Sequence, residues 1–341
     1  MPNRTPFAPR LVIYGAGTIG GHLCRFATAK GWPIVAAYNR AGEKIGKDLG
    51  RLAGLDRDLD VVVQDAEHAD YSNLKADVAL IAITDRLGTN FDAYRRMMEA
   101  GVNVLCHGAE SYYPRFTNPS VAHEIDRMAK QHGVSFLGGG IWDSTRFWSG
   151  LVAAGPCVEI DSIVHTSLTD TARQGTHLML TSGTGMDVET YTEKLIRVPG
   201  LVGGVYGQVP VAVLEKMGYS VTNVVESREP VLFDEPFYCA PLERVLEPGT
   251  CIGTRIVIDV DTKQGVKGRC EIELRPLKKG EDEAMCWSVY GKPIFHLRLR
   301  RELSGLASAS SLFNRIPDVI SASPGIHDVL SFGPMRPSVN V

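Results

Sequence analysis

Several short groups of residues in this chain are of types, and at spacings, that can do chemistry. Tyr14-Gly15-Ala16-Gly17-Thr18-Ile19-Gly20 is a GxGxxG run set between an apolar stretch and an amphipathic one. In that context Gly15 permits a tight turn, Gly17 lets a pyrophosphate approach the backbone, and Gly20 allows helix and strand to pack closely. The N–H groups around Thr18 and Ile19 then open a helix towards the phosphates. An isolated GxGxxG is a weak signal, but the strand before it and the helix after it favour dinucleotide binding over an unliganded turn. The next apolar stretch ends in Tyr38-Asn39-Arg40, where an NAD-selective site usually offers a carboxylate to the adenosine ribose. A carboxylate repels a 2′-phosphate whereas Arg40 can pair with it, so NADP(H) is the expected cofactor and NAD(H) the second choice; the bland alternative is a solvated arginine. Thr84 follows another apolar run, at the edge where ligands gather in such sheets, and reads equally well as a cap on a helix starting near Gly88. Glu110, in Cys106-His107-Gly108-Ala109-Glu110-Ser111, is a single carboxylate just beyond a strand end. An acid there can exchange protons or hold a cationic nitrogen beside a hydride donor. On spacing alone a solvated loop glutamate is the commoner case. His107 has two readings as well, a proton relay and a structural partner for its loop.

The elements that must position these groups are legible from periodicity. Short apolar runs at Leu11 to Tyr14, Pro33 to Tyr38, Asp60 to Val63, Val78 to Ile83, Val102 to Leu105 and Val134 to Leu137 are too uniformly apolar for surface strands. They predict a parallel sheet covered on both faces. Ile19, Leu23, Phe26 and Ala27 share one helical face, as do Val121, Ile125, Met128 and Ala129 after the cap Asn118-Pro119. Gly31, Gly101 and Gly133 stand where helices end in a left-handed residue. The fold class expected is α/β, a Rossmann-type doubly wound parallel sheet. After Gly150 the texture changes to alternating stretches at Glu159 to Thr169, Ser220 to Phe233, Cys251 to Asp261, Arg269 to Arg275 and Met285 to Arg300. These predict a second, α+β domain with a mostly antiparallel sheet, interrupted by helices at Asp187 to Ile196 and Val209 to Lys216. Leu312, Ile316, Val319 and Ile320 share a last helical face, with Pro317 kinking or restarting the helix and Pro324-Gly325 closing it. The expected organisation is residues 1–150 as the dinucleotide domain, 151–303 as a substrate and dimerisation domain, and 304–341 as a helix and tail returning to the first.

Composition narrows the partners. The 341 residues are 44% hydrophobic and 22% charged, with 36 basic against 39 acidic side chains. That balance gives no electrostatic reason to expect nucleic acid or an anionic membrane surface, and a small-molecule partner is expected. No apolar run approaches the ~20 residues of a membrane span, and the start of the chain lacks a signal-like apolar region, so a cytoplasmic protein is expected. The seven cysteines are scattered without a CxxC pair and the nine histidines without an HExxH, so neither disulfides nor a metal site is expected.

The run Gly101-Val102-Asn103-Val104, then Glu110, Tyr113 and Pro114, followed by Gly138-Gly139-Gly140-Ile141-Trp142-Asp143, resembles the dihydrodipicolinate-reductase-like superfamily. Within it the chain is most similar to the branch of 2,4-diaminopentanoate dehydrogenases and native NAD(P)-dependent amine dehydrogenases. Gly175, Gly183-Thr184-Gly185-Met186, Asn314-Arg315-Ile316-Pro317 and Ser323-Pro324-Gly325 extend the resemblance over most of the chain, by their order more than by any one motif.

The resemblance implies a Rossmann domain completed by the C-terminal helix, and a central domain that closes the site and forms a homodimer. It places the family's catalytic acid on Glu110, although Ala109 stands where the family often has a second acid. A stretch like Trp142-Asp143-Ser144-Thr145-Arg146-Phe147-Trp148, which departs from the family's common asparagine-proline form, lines the substrate pocket in amine-dehydrogenase relatives, so the resemblance makes Thr145, Phe147 and Trp148 candidate pocket residues, with helix core as the alternative for both aromatics. Arg146, Arg173 and His177 are candidates for clamping a substrate carboxylate, Arg173 foremost because its segment faces the site in relatives. The histidines and lysine of true dihydrodipicolinate reductases are absent from Val164-His165-Thr166-Ser167-Leu168. The expected activity is NAD(P)H-dependent interconversion of a small ketone or aldehyde plus ammonia with a primary amine. The alternatives are a diamino-acid dehydrogenase, a simple carbonyl reductase, and a non-enzymatic NADP(H) sensor.

Overall fold

The computed structural model describes residues 8–40, 42–174, 176–197 and 203–337. The described residues divide into two compact units, one within Met1–Ser144 and Leu303–Val341, the other Thr145–Glu302.

The first unit is built on a seven-stranded sheet in which every pair is parallel. Its order is Gly325–His327, Ser135–Gly138, Asn103–Cys106, Val78–Ile81, Leu11–Tyr14, Ile34–Asn39, Val63–Asp65. Alternation along the central strand divides the core. Val12 and Tyr14 join Tyr94, Met97 and Ile125 on one face, while Leu11 and Ile13 join Leu23, Leu312 and Phe313 on the other. The second cluster contains both Thr18–Ala29 and the C-terminal helices Ser304–Asn314 and Ile316–Ser321, and Phe313 stacks on Trp32 with ring centroids 4.9 Å apart. Pro317 sits in the first turn of the last helix and restarts it rather than kinking it. The chain leaves the first strand in one direction and later returns to its other side, so ligand-binding loops converge between Leu11–Tyr14 and Val78–Ile81.

Two boundaries differ from the pattern-based reading. Asp60 to Val63 does not pair as a strand; pairing starts at Val63 and runs to Asp65. Asp60 is left-handed (φ 57°) and the Asp48 carboxylate takes the N–H groups of Leu59 and Val61, so the segment bends before it joins the sheet. Pro324-Gly325 does close the helix, but Gly325 also begins the seventh strand, three residues too short to show a period.

The second unit carries six strands in the order Phe295–Arg300, Ala284–Lys292, Glu159–Asp170, Lys267–Arg275, Cys251–Thr262, Val221–Leu232. All pairs are antiparallel except Glu159–Asp170 with Lys267–Arg275. The stretch expected as one strand, Met285 to Arg300, is a hairpin that turns at Pro293. One face is apolar, with Ile163, Ile258, Ile272 and Trp287 buried. The helix Gly203–Lys216 packs on it so closely that a Cβ on Gly268 would come within 2.8 Å of Leu214. The other face is a ladder of charges. Arg255 reaches Glu229 at 3.1 Å and Glu271 at 2.6 Å, and Arg269 reaches Asp259 at 2.9 Å.

Candidate active site

The glycine turn has the form its sequence implies. Gly15 has φ 110°, and any Cβ there or on Gly20 would collide with the carbonyl oxygens of Ala82 and Gly15 respectively. Gly17 differs, since a Cβ on it meets nothing within 4 Å. Gly17 is also the N-cap of Thr18–Ala29 and supplies no side-chain cap, so the exposed first turn, with Thr18 and Ile19, presents backbone N–H groups beside open space. That combination fits a dinucleotide pyrophosphate. Asn39 secures the turn by accepting from Ala16 N at 3.3 Å, and its own amide donates to the Arg40 carbonyl at 2.9 Å. Arg40 is exposed. A second cation, unnoticed in the sequence, stands at the glycine turn: Lys44 Nζ donates to the Ala16 carbonyl at 2.9 Å.

The contact of Gly15 with Ala82 ties this turn to the next strand end, where Thr84 lies. The Thr84 hydroxyl donates to Asn90 Oδ1 at 2.6 Å and accepts weakly from Arg86 N at 3.4 Å. Asn90 returns a bond from Nδ2 to the Thr84 carbonyl at 2.8 Å and is buried. Thr84 and Asn90 therefore hold a loop whose next residues reach Glu110. Glu110 lies in the single turn Ala109–Ser111 after the strand Asn103–Cys106. Its Oε2 accepts from Leu87 N at 2.7 Å and its Oε1 from Arg86 Nη1 at 2.7 Å. Gly108 lets the turn lie against the loop, since a Cβ there would stand 2.7 Å from the Thr84 carbonyl.

Beneath Glu110 the surroundings are apolar and sealed. Burial pushes the Cys106 thiol above its ordinary value, and the Tyr94 hydroxyl, 2.8 Å from Cys106 Sγ, is pushed up by the same cause. His107 Nε2 meets Ser308 Oγ at 2.8 Å, and burial lowers its pKa while Asp85 opposes that. Next along the sheet, the strand Ser135–Gly138 leads to Asp143, whose carboxylate binds Arg315 through two bonds of 2.7 and 2.9 Å. Two separated marks of the resemblance, Trp142-Asp143 and Asn314-Arg315, thus meet in one buried ion pair.

Asp143–Trp148, which begins in the first unit and ends in the second, is wound as a π-helix that runs into Ser149–Ala154, an irregularity frequent at functional sites. Phe147 is fully buried, while Thr145 and Trp148 are half-buried. Arg146 is buried as well. Its Nη1 lies 3.0 Å from His165 Nε2, Nη2 donates to Ser167 at 3.3 Å, and the guanidinium sits over the Tyr206 ring. His165 Nδ1 lies 3.1 Å from the Cys286 carbonyl, so that nitrogen carries the proton and Nε2 accepts from the arginine. Burial, with Arg146 adding to it, holds His165 neutral well below its ordinary pKa. Arg173 is 69% exposed and sits 3.4 Å from Asp170. Gly175 and the side chain of His177 lie outside the described residues.

Residues 150–337 match the model of the 2,4-diaminopentanoate dehydrogenase C-terminal domain, more than half of the chain. The chain belongs to that family. It is 25% identical over 335 residues to 2,4-diaminopentanoate dehydrogenase of Acetoanaerobium sticklandii, covering 94% of this chain and 92% of that one. It also matches the structure of an amine dehydrogenase from Mycobacterium smegmatis with a TM-score of 0.86 and 27% identity, over 96% of this chain and 97% of that one. A probable dehydrogenase from Thermotoga maritima, 13% identical with a TM-score of 0.59 over 94% and 91%, shares the fold. The family member described here is an NAD(P)-dependent oxidoreductase of the amine dehydrogenase kind. No helix among its described residues is long and apolar enough to cross a membrane.

Proposed function

We propose that this family member aminates a small ketone or aldehyde with ammonia at the expense of NADPH, and runs the reverse oxidation of the amine, with Glu110 as the proton-transfer group. The observation that carries this reading is the setting of Glu110. It is a nearly buried carboxylate at a strand end of the nucleotide-type sheet, with one oxygen fixed by a backbone N–H and the other engaged by a cation. A carboxylate so held accepts a proton from ammonium as the nitrogen attacks the carbonyl. It returns a proton to the hydroxyl that leaves as water, and it holds the resulting cationic imine by a charge-assisted bond. The nicotinamide, when bound, supplies the hydride that reduces the imine carbon or takes it in reverse.

Gly15, Gly17, Gly20 and the N–H groups of Thr18 and Ile19 would hold the pyrophosphate, with Thr84 at the neighbouring strand end. Arg40, supported by Asn39, would meet a 2′-phosphate, which favours NADPH over NADH. Half-buried Thr145 and Trp148 would line the substrate pocket, whereas the full burial of Phe147 favours helix core for it. The exposure of Arg173 and its pairing with Asp170 weigh against a carboxylate clamp there, and so against a diamino acid as substrate. A homodimer through the second unit is part of the same reading, as the resemblance implies.

NADPH oxidation across aldehydes, ketones and keto acids, each with and without ammonium, tests the reading. Oxidation is expected only when a carbonyl compound and ammonium are both present. Turnover that ignores ammonium identifies a carbonyl reductase and overturns the reading.

A further inference from the structure

Thr84, Asn90, Tyr94 and Cys106 form one hydrogen-bonded run beside the Glu110 turn, and their donors and acceptors give it a single direction. The Thr84 carbonyl can only accept, so the Asn90 atom facing it at 2.8 Å is Nδ2, and Oδ1 takes the Thr84 hydroxyl at 2.6 Å. The second amide hydrogen goes to the Tyr94 hydroxyl oxygen at 3.1 Å. Tyr94 then turns its own proton to Cys106 Sγ at 2.8 Å, a sulfur that also accepts from Gly108 N at 3.3 Å. We propose that Asn90, acting with Tyr94, is a positioning residue for proton transfer: it fixes the 84–87 loop against the Glu110 turn, so that the Leu87 N–H holds the carboxylate in its working orientation. The proposal rests on the role assigned to Glu110 above.

Loop and turn are joined at two places. In one, the Leu87 N–H donates to Glu110 Oε2 at 2.7 Å, Glu110 N to the Asp85 carbonyl at 3.1 Å, and Ala109 N to Asp85 Oδ1 at 3.2 Å. The other is the run through Asn90, which precedes the helix Phe91–Glu99 and shares a face with Tyr94 one turn later. Asn90 is 2% exposed, and Tyr94 and Cys106 are sealed, so water cannot stand in for a deleted amide. The Leu87 side chain lies in the same apolar cluster as Tyr94 and Cys106, which ties the placement of its N–H to theirs. Removing the Asn90 amide leaves the Thr84 carbonyl and the Tyr94 hydroxyl short of a partner in a dry place, and a shift of the loop relieves them. The Leu87 N–H moves with that loop, and Glu110 loses the bond that sets its orientation.

The test is a double-mutant cycle read on amination. Asn90→Ala should lower kcat about 10- to 10²-fold, the worth of a reacting group displaced by about 1 Å. KM for ammonium and for the carbonyl compound should change little, and NADPH affinity by fluorescence titration should be kept. Amide hydrogen exchange should quicken in residues 84–90 and not in the strands of the sheet. Tyr94→Phe, which keeps the ring and both bonds between Thr84 and Asn90, should lower kcat about three-fold, as for one neutral hydrogen bond. On Glu110→Gln each of these losses should shrink to less than about two-fold, because no carboxylate remains to be positioned, whereas a merely structural role costs the same on either background. An unaltered kcat in Asn90→Ala, an equal loss on both backgrounds, or a fall in NADPH affinity that matches the fall in kcat overturns the positioning role and leaves Glu110 standing. If Asn90→Ala does not fold, Tyr94→Phe carries the cycle, and a loss that is absent or that persists on Glu110→Gln overturns the proposal equally. A Glu110→Gln enzyme that aminates normally overturns both the positioning and the role of Glu110.

Discussion

Two segments leave neighbouring strands of the same parallel sheet, and each sends one carboxylate to one arginine. After Asn103–Cys106, Glu110 meets Arg86; after Ser135–Gly138, Asp143 meets Arg315. The bond lengths are alike, 2.7 Å in both closest contacts, but the solvation is not. Arg315 and Asp143 are 1% and 0% exposed, and Arg315 also donates to Asp318 and to the Gly333 carbonyl at 2.7 Å. Neither can exchange its partner without opening the core. The Arg86 side chain, by contrast, is 49% exposed, against 10% for Glu110. The same chemical pair is thus sealed from water in one place and half-solvated in the other, and exposure of the cation separates the two cases more clearly than distance does.

That contrast is broken most severely by removing the carboxylate of the half-solvated pair. Glu110→Gln preserves volume and an acceptor for the Leu87 N–H but deletes the charge and the proton acceptor. Amination turnover should fall by ~10²–10⁴-fold, the usual worth of a positioned acid or base. NADPH affinity and melting temperature should change little, as measured by fluorescence titration and calorimetry. Near-normal amination in the variant would show Glu110 to be an ordinary loop residue.

The sealed pair predicts the opposite division. Asp143→Asn leaves a buried guanidinium short of its bidentate partner, and the loss should be ~3–5 kcal/mol of stability, softened by the remaining bonds to Asp318 and Gly333. Thermal or urea unfolding measures it. A melting temperature within a degree or two of the unaltered protein would mean that water reaches Arg315 and that the pair is not sealed.

How much of this was legible in the sequence follows the same division between repeated and single features. Strands such as Leu11–Tyr14 and Val78–Ile81 are buried at every residue, so their composition alone marks them as central. The glycine run was equally readable, because Gly15 and Gly20 each answer a separate steric demand and Gly17 stands beside open space. Glu110 was placed by resemblance, and its partners were not foreseen. Arg86 and Leu87 come from a loop 24 and 23 residues earlier, joined to Glu110 only because their strands are neighbours in the sheet. Lys44 escaped notice for a similar reason: it bonds a backbone carbonyl 28 residues away, and no side-chain pattern records that. Arg146, read as a candidate carboxylate clamp, instead enters a network with His165, Ser167 and Tyr206 on an inner face that period-two alternation shows to be buried but not to be polar. The strand Gly325–His327 is too short for any period to reveal it.

The smallest expected effect sharpens the contrast at the other exposed cation of the sheet edge. Arg40 is exposed and follows the strand that carries Asn39, so replacing it disturbs no core contact and should leave the melting temperature unchanged. If Arg40 meets a 2′-phosphate, the unaltered protein binds NADPH more tightly than NADH. Arg40→Asp should then reverse the order, with each affinity moving by about ten-fold, the low end for a charge-assisted bond at a solvated site. Lys44 sets a limit on that reversal, because its ammonium remains on the Ala16 carbonyl at 2.9 Å and keeps positive charge beside the glycine turn. Lys44→Ala separates the two contributions. An equal loss for NADPH and NADH places Lys44 with the turn, whereas a loss confined to NADPH places it with Arg40 at the phosphate. Equal affinities for both dinucleotides in the unaltered protein, unmoved by Arg40→Asp, would remove Arg40 from the site and leave exposure alone as the reason it is tolerated there.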